Sequence, residues 1–169
     1  KNRFKLALSF DGNRLMQNMN RCESSGRIGL DYFAETYPNV AVKMTLSPNT
    51  LQYFFEGYKY LYDKGFNVIE PSLAMGDSIG WTKEHLQILN SELEKFVSFF
   101  VEHPFVQRAG DLNLPIFDVL DSSLSNRTCM LGPNIECYDY NGDKYPCHLF
   151  SPVAIDMEKA KNAANLDFA

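Results

Sequence analysis

Two spacings of apolar residues alternate along this chain. Residues 4–10, FKLALSF, form a short, mostly apolar run closed by Asp11 and Gly12, which predicts a buried strand and a turn. A polar stretch follows. Ile28, Leu30, Phe33 and Tyr37 then recur at approximately helical spacing, and Pro38 ends the helix predicted over 26–37. Residues 39–46, NVAVKMTL, predict a second strand, and Ser47-Pro48-Asn49-Thr50 a helix start. Leu51, Phe54, Phe55, Tyr58, Leu61 and Tyr62 keep the i, i+3, i+4, i+7 pattern of a one-sided helix. Gly65 stands where a C-terminal cap belongs. Residues 66–69 predict a third strand, followed by a glycine-containing loop over 70–80. Thr82 is the predicted cap of a long helix whose buried stripe is Leu86, Leu89, Leu93, Phe96, Val97 and Phe100, ending before Pro104. A weaker helical segment is expected over 115–124, and a polar tail over 156–166 has helical composition.

Strand, helix, strand, helix, strand, helix with short connections is the pattern of parallel βα units. The expected fold class is therefore α/β: about three parallel βα units over 1–108, half a (βα) barrel or a small open sheet. A small cysteine-bearing β-hairpin follows within 109–169. An isolated half-barrel exposes two unprotected strand edges. Either further residues precede Lys1, or copies of the chain self-associate through those edges. The chain starts at Lys1 without an initiator Met and goes almost directly into a strand, as a processed chain or an excised section would.

Composition narrows the classes. A chain of 169 residues can bury a sizeable core in one domain. A net charge of −5 without a basic run argues against sequence-independent nucleic-acid binding. No apolar run approaches the roughly 20 residues needed to cross a bilayer, and no signal peptide is visible. Four cysteines are too few for a disulfide scaffold at this size, which makes a reducing cytoplasm the default compartment.

Three of those cysteines, Cys129, Cys137 and Cys147, lie in CMLGPNIECYDYNGDKYPCHLF around an Asn141-Gly142 turn. The flanking runs IECYDY and DKYPCHLF read as a hairpin. A two-residue loop, Asn141 and Gly142, pairs Cys137 with Pro146 and points Cys137 and Cys147 to opposite faces. A three-residue loop with Gly142 at positive φ pairs Cys137 with Tyr145, and the two thiols then share a face. A metal or iron–sulfur site needs the second register, with Cys129 arriving from the preceding loop. Three buried, unreactive cysteines are the alternative.

LSFDG at 8–12, followed by Asn20-Arg21, resembles the fourth strand and following loop of radical S-adenosylmethionine enzymes. VKMTLSPNTLQYFFEGYKYLYDKGFN looks like the next strand and helix, and VIEPSLAMG like the sixth strand with its loop. Cys129, twelve residues, Gly142, four residues, Cys147 fits the C-x9–15-G-x4-C opening of the SPASM extension, which follows the barrel and holds auxiliary [4Fe–4S] clusters. The sulfatase-maturating and peptide-modifying enzymes are the branch most similar. The resemblance implies that 1–108 is the C-terminal half of a partial barrel of this type and that 109–169 is a linker and the start of the SPASM-like region. It further implies a whole enzyme that cleaves S-adenosylmethionine with a [4Fe–4S] cluster and modifies a peptide or protein. The C-x3-C-x2-C loop for that cluster is absent and would lie upstream of Lys1; the later SPASM cysteines would lie beyond Ala169. The section alone would then be unable to cleave the cofactor.

In similar enzymes a Ser and an Arg at the spacing of Ser9 and Arg21 contact the cofactor's ribose and carboxylate. Leu73 would pack on the adenine, or serve the core. Cys129, Cys137 and Cys147 would be auxiliary-cluster ligands, and in this section could instead be empty, oxidised or hold adventitious zinc. His148 occupies a position resembling an Asp that acts as a base in the sulfatase-maturating branch; an ordinary hairpin His is the alternative. Asp11 and Gly12 read as turn-formers, Cys22 as packing, and His85 and His103 as surface residues. Two other readings stay open: a non-catalytic zinc-binding module, and a βα small-molecule or partner-binding domain with inert cysteines.

Overall fold

Three short parallel strands organise the larger of two units. The computed structural model describes residues 6–76, 78–104, 106, 137–152 and 154–163. One unit comprises Lys1–Ala74 and Trp81–Asn113, the other Met75–Gly80 and Leu114–Ala169. In the first, β1 (Ala7–Ser9), β2 (Ala41–Leu46) and β3 (Val68–Leu73) lie in the order β1-β2-β3. Leu8 pairs with Val42 and Val42 with Ile69; one position on, Ser9 pairs with Lys43 and Lys43 with Glu70.

Paired neighbours share a sheet face and successive residues alternate. Leu8, Val42, Met44, Leu46 and Ile69 thus form one face, and all are buried. Ser9, Lys43, Thr45, Glu70 and Ser72 form the other, and all are exposed or half-buried. The strand over 4–10 was expected to be buried; its described part is buried on one face only, with Leu6 exposed. Parallel sheets are ordinarily covered on both faces, so this polar row needs an explanation.

Helices α1 (Arg14–Asn20), α2 (Leu30–Thr36), α3 (Phe54–Asp63) and α4 (Lys83–Glu102) complete the unit. The polar stretch after Gly12 contains α1, capped by Asn13, whose Oδ1 accepts from the Met16 amide at 3.0 Å. Periodicity misses it because its buried residues are only Met16 and Gln17. The helix expected over 26–37 is shorter: Ser24–Arg27 is a 3-10 turn, and α2 begins at Leu30. A 3-10 turn, Leu51–Tyr53, leads into α3. There Gly65, at φ +96°, donates to Tyr62 O at 2.8 Å while Phe66 donates to Leu61 O at 3.3 Å, the Schellman ending that the sequence predicts. β3 runs to Leu73 rather than ending at Ile69; Pro71 is tolerated because β3 is an edge strand.

Helix α3 meets the β1–α1 turn almost backbone to backbone. A Cβ on Gly12 would stand 2.9 Å from Gly57 Cα, and the fully buried Met16 and Met44 fill the space beside them. Against the other side of α3 lies α4, with Phe54, Phe55 and Tyr58 rings 4.6, 5.1 and 5.0 Å from Phe96. The predicted stripe on α4 needs correction. Leu86 and Val97 are 61% and 65% exposed, while Phe96, Phe99 and even Glu92 are buried. The contact face is centred on Phe96, and a helix turns about 100° per residue, which carries Val97 off it. Glu92 is buried because its Oε2 accepts the Phe55 amide at 2.8 Å, capping α3, while Lys95 pairs with its other oxygen.

In the second unit, β4 (Cys137–Tyr138) pairs antiparallel with β5 (Lys144–Tyr145), and α5 (Met157–Ala163) follows. Asp156 starts α5 by accepting from the Glu158 and Lys159 amides at 3.0 and 2.9 Å, which hold its carboxyl below the usual range. Buried Tyr145 and Ala160 form the small core, with Cys137, Phe150 and Ile155 against them. The helix expected over 115–124 and Cys129 lie outside the described residues. No helix among the described residues is long and apolar enough to cross a membrane.

Candidate functional site

The carboxyl ends of parallel strands are where α/β folds build their sites, and polar side chains converge there. Asp11 follows β1 and is 1% exposed. Arg21, at the end of α1, grips it with two bonds: Nε to Oδ2 at 2.7 Å and Nη2 to Oδ1 at 3.0 Å. The Thr45 amide donates to the same Oδ1 at 2.8 Å, and Arg21 Nη2 reaches Thr45 Oγ1 at 3.3 Å. Gln17 extends the knot: its Oε1 accepts the Asp11 amide at 2.8 Å and its Nε2 donates to Ser24 Oγ at 2.7 Å. Asn20 then ties α1 to the end of β2, donating to Thr45 O at 2.9 Å and accepting from Ser47 Oγ at 2.8 Å. A carboxylate taken out of water requires this degree of satisfaction.

Ser9 is exposed at the end of β1, on the polar sheet face beside Lys43, which is ion-paired with Glu70. Thr45 lies on the same face two residues further along β2, so Ser9 and the Arg21–Thr45 contact belong to one end of one face. The Arg21 fork is held by Asp11 through Nε and Nη2, and among the described residues Nη1 makes no hydrogen bond. Leu73, last in β3 and paired with Leu46, is half-buried. It lines an apolar cavity of about 130 Å³ with Leu51, Trp81, His85 and Leu89. Trp81 is fixed there by its Nε1 donating to Ala74 O at 2.8 Å.

In the hairpin unit, Cys137 stands opposite Tyr145. The loop is Tyr140-Asn141-Gly142, with the Gly142 amide donating to Asp139 O at 3.1 Å and Gly142 at φ +89°. This is the three-residue alternative of the two open in the sequence. Asp139 enforces it: its Oδ1 accepts the Asn141 and Asp143 amides at 2.8 and 3.0 Å, and its Oδ2 accepts Tyr145 Oη at 3.3 Å. Burial first, then Asp139 and Asp143, push the Tyr145 phenol pKa up. Cys147 lies two residues past Tyr145, beyond the end of β5 and across a bend at Pro146 and Cys147, with its own backbone extended at φ −164° and ψ 155°. Both thiols are free, Cys147 is buried, and His148 Nδ1 lies 3.6 Å from Cys147 Sγ while His148 itself is exposed. Among the described residues no group of three His, Cys, Asp or Glu side chains is arranged to hold a metal, and Cys129 lies outside them.

Cys22 is exposed with φ +48°, not packed in the core. Sequence reasoning missed the roles of Asp11 and of the row Lys43, Thr45, Glu70, Ser72. The row had a signal, polar residues at period two inside two apolar strands; the Asp11–Arg21 pair had none, since it depends on where α1 lands. No protein-family model matches the chain, and no curated protein matches it.

Proposed function

We propose that this chain is a section of a radical S-adenosylmethionine enzyme that modifies a peptide or protein side chain, with an auxiliary iron–sulfur cluster at the hairpin. The observation that supports the reading is the hairpin register, Cys137 opposite Tyr145, which is the one of the two registers that a shared site for Cys137 and Cys147 requires. The exposed polar face of the parallel sheet adds support, since the inner face of a partial barrel that encloses a polar cofactor has this character.

The residues fit the implied groups. The free thiols Cys137 and Cys147 suit thiolate ligation of a cluster, with Cys129 as the third donor. Ser9 presents an exposed hydroxyl at a strand end for a ribose hydroxyl. Arg21 keeps Nη1 for a ligand carboxylate after Asp11 has oriented its fork. Leu73 shares the buried sheet face with Leu46, opposite the face of Ser9 and Lys43, which favours its core role with Trp81 over a wall for the same cofactor's purine. When bound, the cofactor and its cluster supply hydrogen-atom abstraction; the chain's residues orient the reactants and exclude water. His148 Nδ1 faces the Cys147 sulfur, which leaves Nε2 for a substrate proton.

Anaerobic reconstitution of the chain with ferrous iron and sulfide tests the hairpin. The expected result is iron and sulfide uptake with broad visible charge-transfer absorption, lost in Cys137→Ser and in Cys147→Ser. Tight zinc uptake without iron uptake would favour a structural zinc module instead. The enzyme class itself requires a C-x3-C-x2-C loop upstream of Lys1 in the coding sequence; a coding sequence without one overturns it.

A further inference from the structure

At the opposite end of the sheet from Ser9, Arg21 and Leu73, a second cavity of about 560 Å³ opens where α4 ends and β3 begins. Its volume is that of a small-molecule site. Tyr58, Tyr62 and Phe66 contribute aromatic walls, and Asn67, Glu102 and His103 polar groups. None of the residues described as lining it is a Lys or Arg.

The hydrogen-bond inventory gives the cavity a polarity. His103 is held in place by stacking on Phe99, ring centroids 4.5 Å apart, and by Nδ1 lying 2.9 Å from Phe99 O. A carbonyl oxygen only accepts, so Nδ1 carries a proton there and Nε2 is the ring nitrogen left for a ligand. The Asn67 amide nitrogen donates to Asn39 Oδ1 at 3.1 Å, so Asn67 has its carbonyl oxygen to offer. Glu102 adds a carboxylate. Tyr58 is 1% exposed and lines the cavity. Burial, followed by Tyr62, pushes its pKa up to about 12, so the phenol stays protonated. As a lining residue, Tyr58 can offer that hydroxyl to a ligand.

We propose that this cavity binds a small planar aromatic molecule carrying an amine or amidine group. The ring lies against Tyr62 and Phe66, and the cationic donors meet Glu102 and His103 Nε2, with ring faces adding cation–π attraction. An anionic ligand of the same shape meets acceptors and is rejected. The inference stands on this cavity alone and does not depend on the proposed enzyme class.

The test is a 1H–15N NMR titration of the whole chain with benzamidine and, separately, with benzoate. Saturable shifts of the Asn67, Glu102 and His103 amides are expected with benzamidine at a Kd on the order of 1 mM, typical of a fragment. Benzoate binds at least about tenfold more weakly. Tyr58→Phe weakens benzamidine about fivefold, the loss of one hydrogen bond. Glu102→Gln, at an exposed helix end where folding is not at stake, weakens it about threefold and narrows the preference over benzoate. Equal binding of benzoate, no saturable shift below about 10 mM, or shifts confined to other residues would overturn the proposal.

Discussion

In the sheet unit, a continuous core runs from Leu8 and Phe10 through Val42, Met44 and Leu61 to Phe96 and Phe99, and its polar groups are spent inside it. Asp11, Gln17 and Glu92 are buried, and each bonds backbone amides or other polar groups that packing has removed from water. In the hairpin unit the described core is Tyr145 and Ala160 with three half-buried neighbours, and the register is set by one exposed turn carboxylate, Asp139. Among the described residues, one unit is stabilised by burial and then orders its polar groups, while the hairpin orders its polar groups with little burial. Within the described part of the hairpin unit, Cys137 and the buried Cys147 are free thiols.

The largest lesion should be Asp11→Ala. It leaves the Thr45 amide without its acceptor and releases the Arg21 fork, and because that arginine is half-exposed the loss is about 3 kcal/mol rather than that of a fully buried pair. Urea unfolding of the sheet unit should show it; a loss below about 1 kcal/mol would mean that the knot is not structural. Gly12→Ala comes next, at about 2–3 kcal/mol, because its Cβ would meet Gly57 Cα at 2.9 Å and Met16 Sδ at 2.6 Å at a φ of +83°.

Alkaline titration gives the third effect. The folded-state pKa of Tyr58 is raised from 10.0 to about 12, so its contribution is fully present below pH 10 and disappears as pH rises towards 12. A fall of roughly 2 kcal/mol over that interval, absent in Tyr58→Phe, is expected from chemical denaturation at each pH. An identical slope in both proteins would refute the assignment. The smallest effect reverses the comparison: Asp139→Ala should cost about 1 kcal/mol and shift only hairpin amides, leaving the sheet unit's signals in place. Shifts spread through both units would show that the two are not separate in their energetics.

Much of the sheet unit could be read from residue spacing, including the cap at Gly65, the aromatic face of α3 and the parallel order of βα units. Helix α1 could not, because only Met16 and Gln17 of its seven residues are buried. Leu86 and Val97 misled because an apolar residue at near-helical spacing is compatible with either flank of the stripe. For the site, the positions of Ser9 at a strand end and of Cys137 in the hairpin followed from local pattern; Leu73, expected in the loop after the third strand, is instead its last residue. The grip of Asp11 on Arg21, which leaves that arginine only part of its fork for a ligand, did not.

By itself, then, the order of residues determined where strands, helices and the hairpin turn occur, because backbone preference and one-sided burial act over a few neighbouring positions. Even the hairpin was left with two registers, and a carboxylate bound to two turn amides chose between them. Which polar groups became core and which stayed on an exposed face was decided only in three dimensions. Met16, Met44 and Gly57 meet across about 40 residues of chain, and Asp11 is satisfied by atoms from α1 and β2 together. No local signal encodes such meetings, because the energy of a buried polar group depends on partners that only the packed chain supplies.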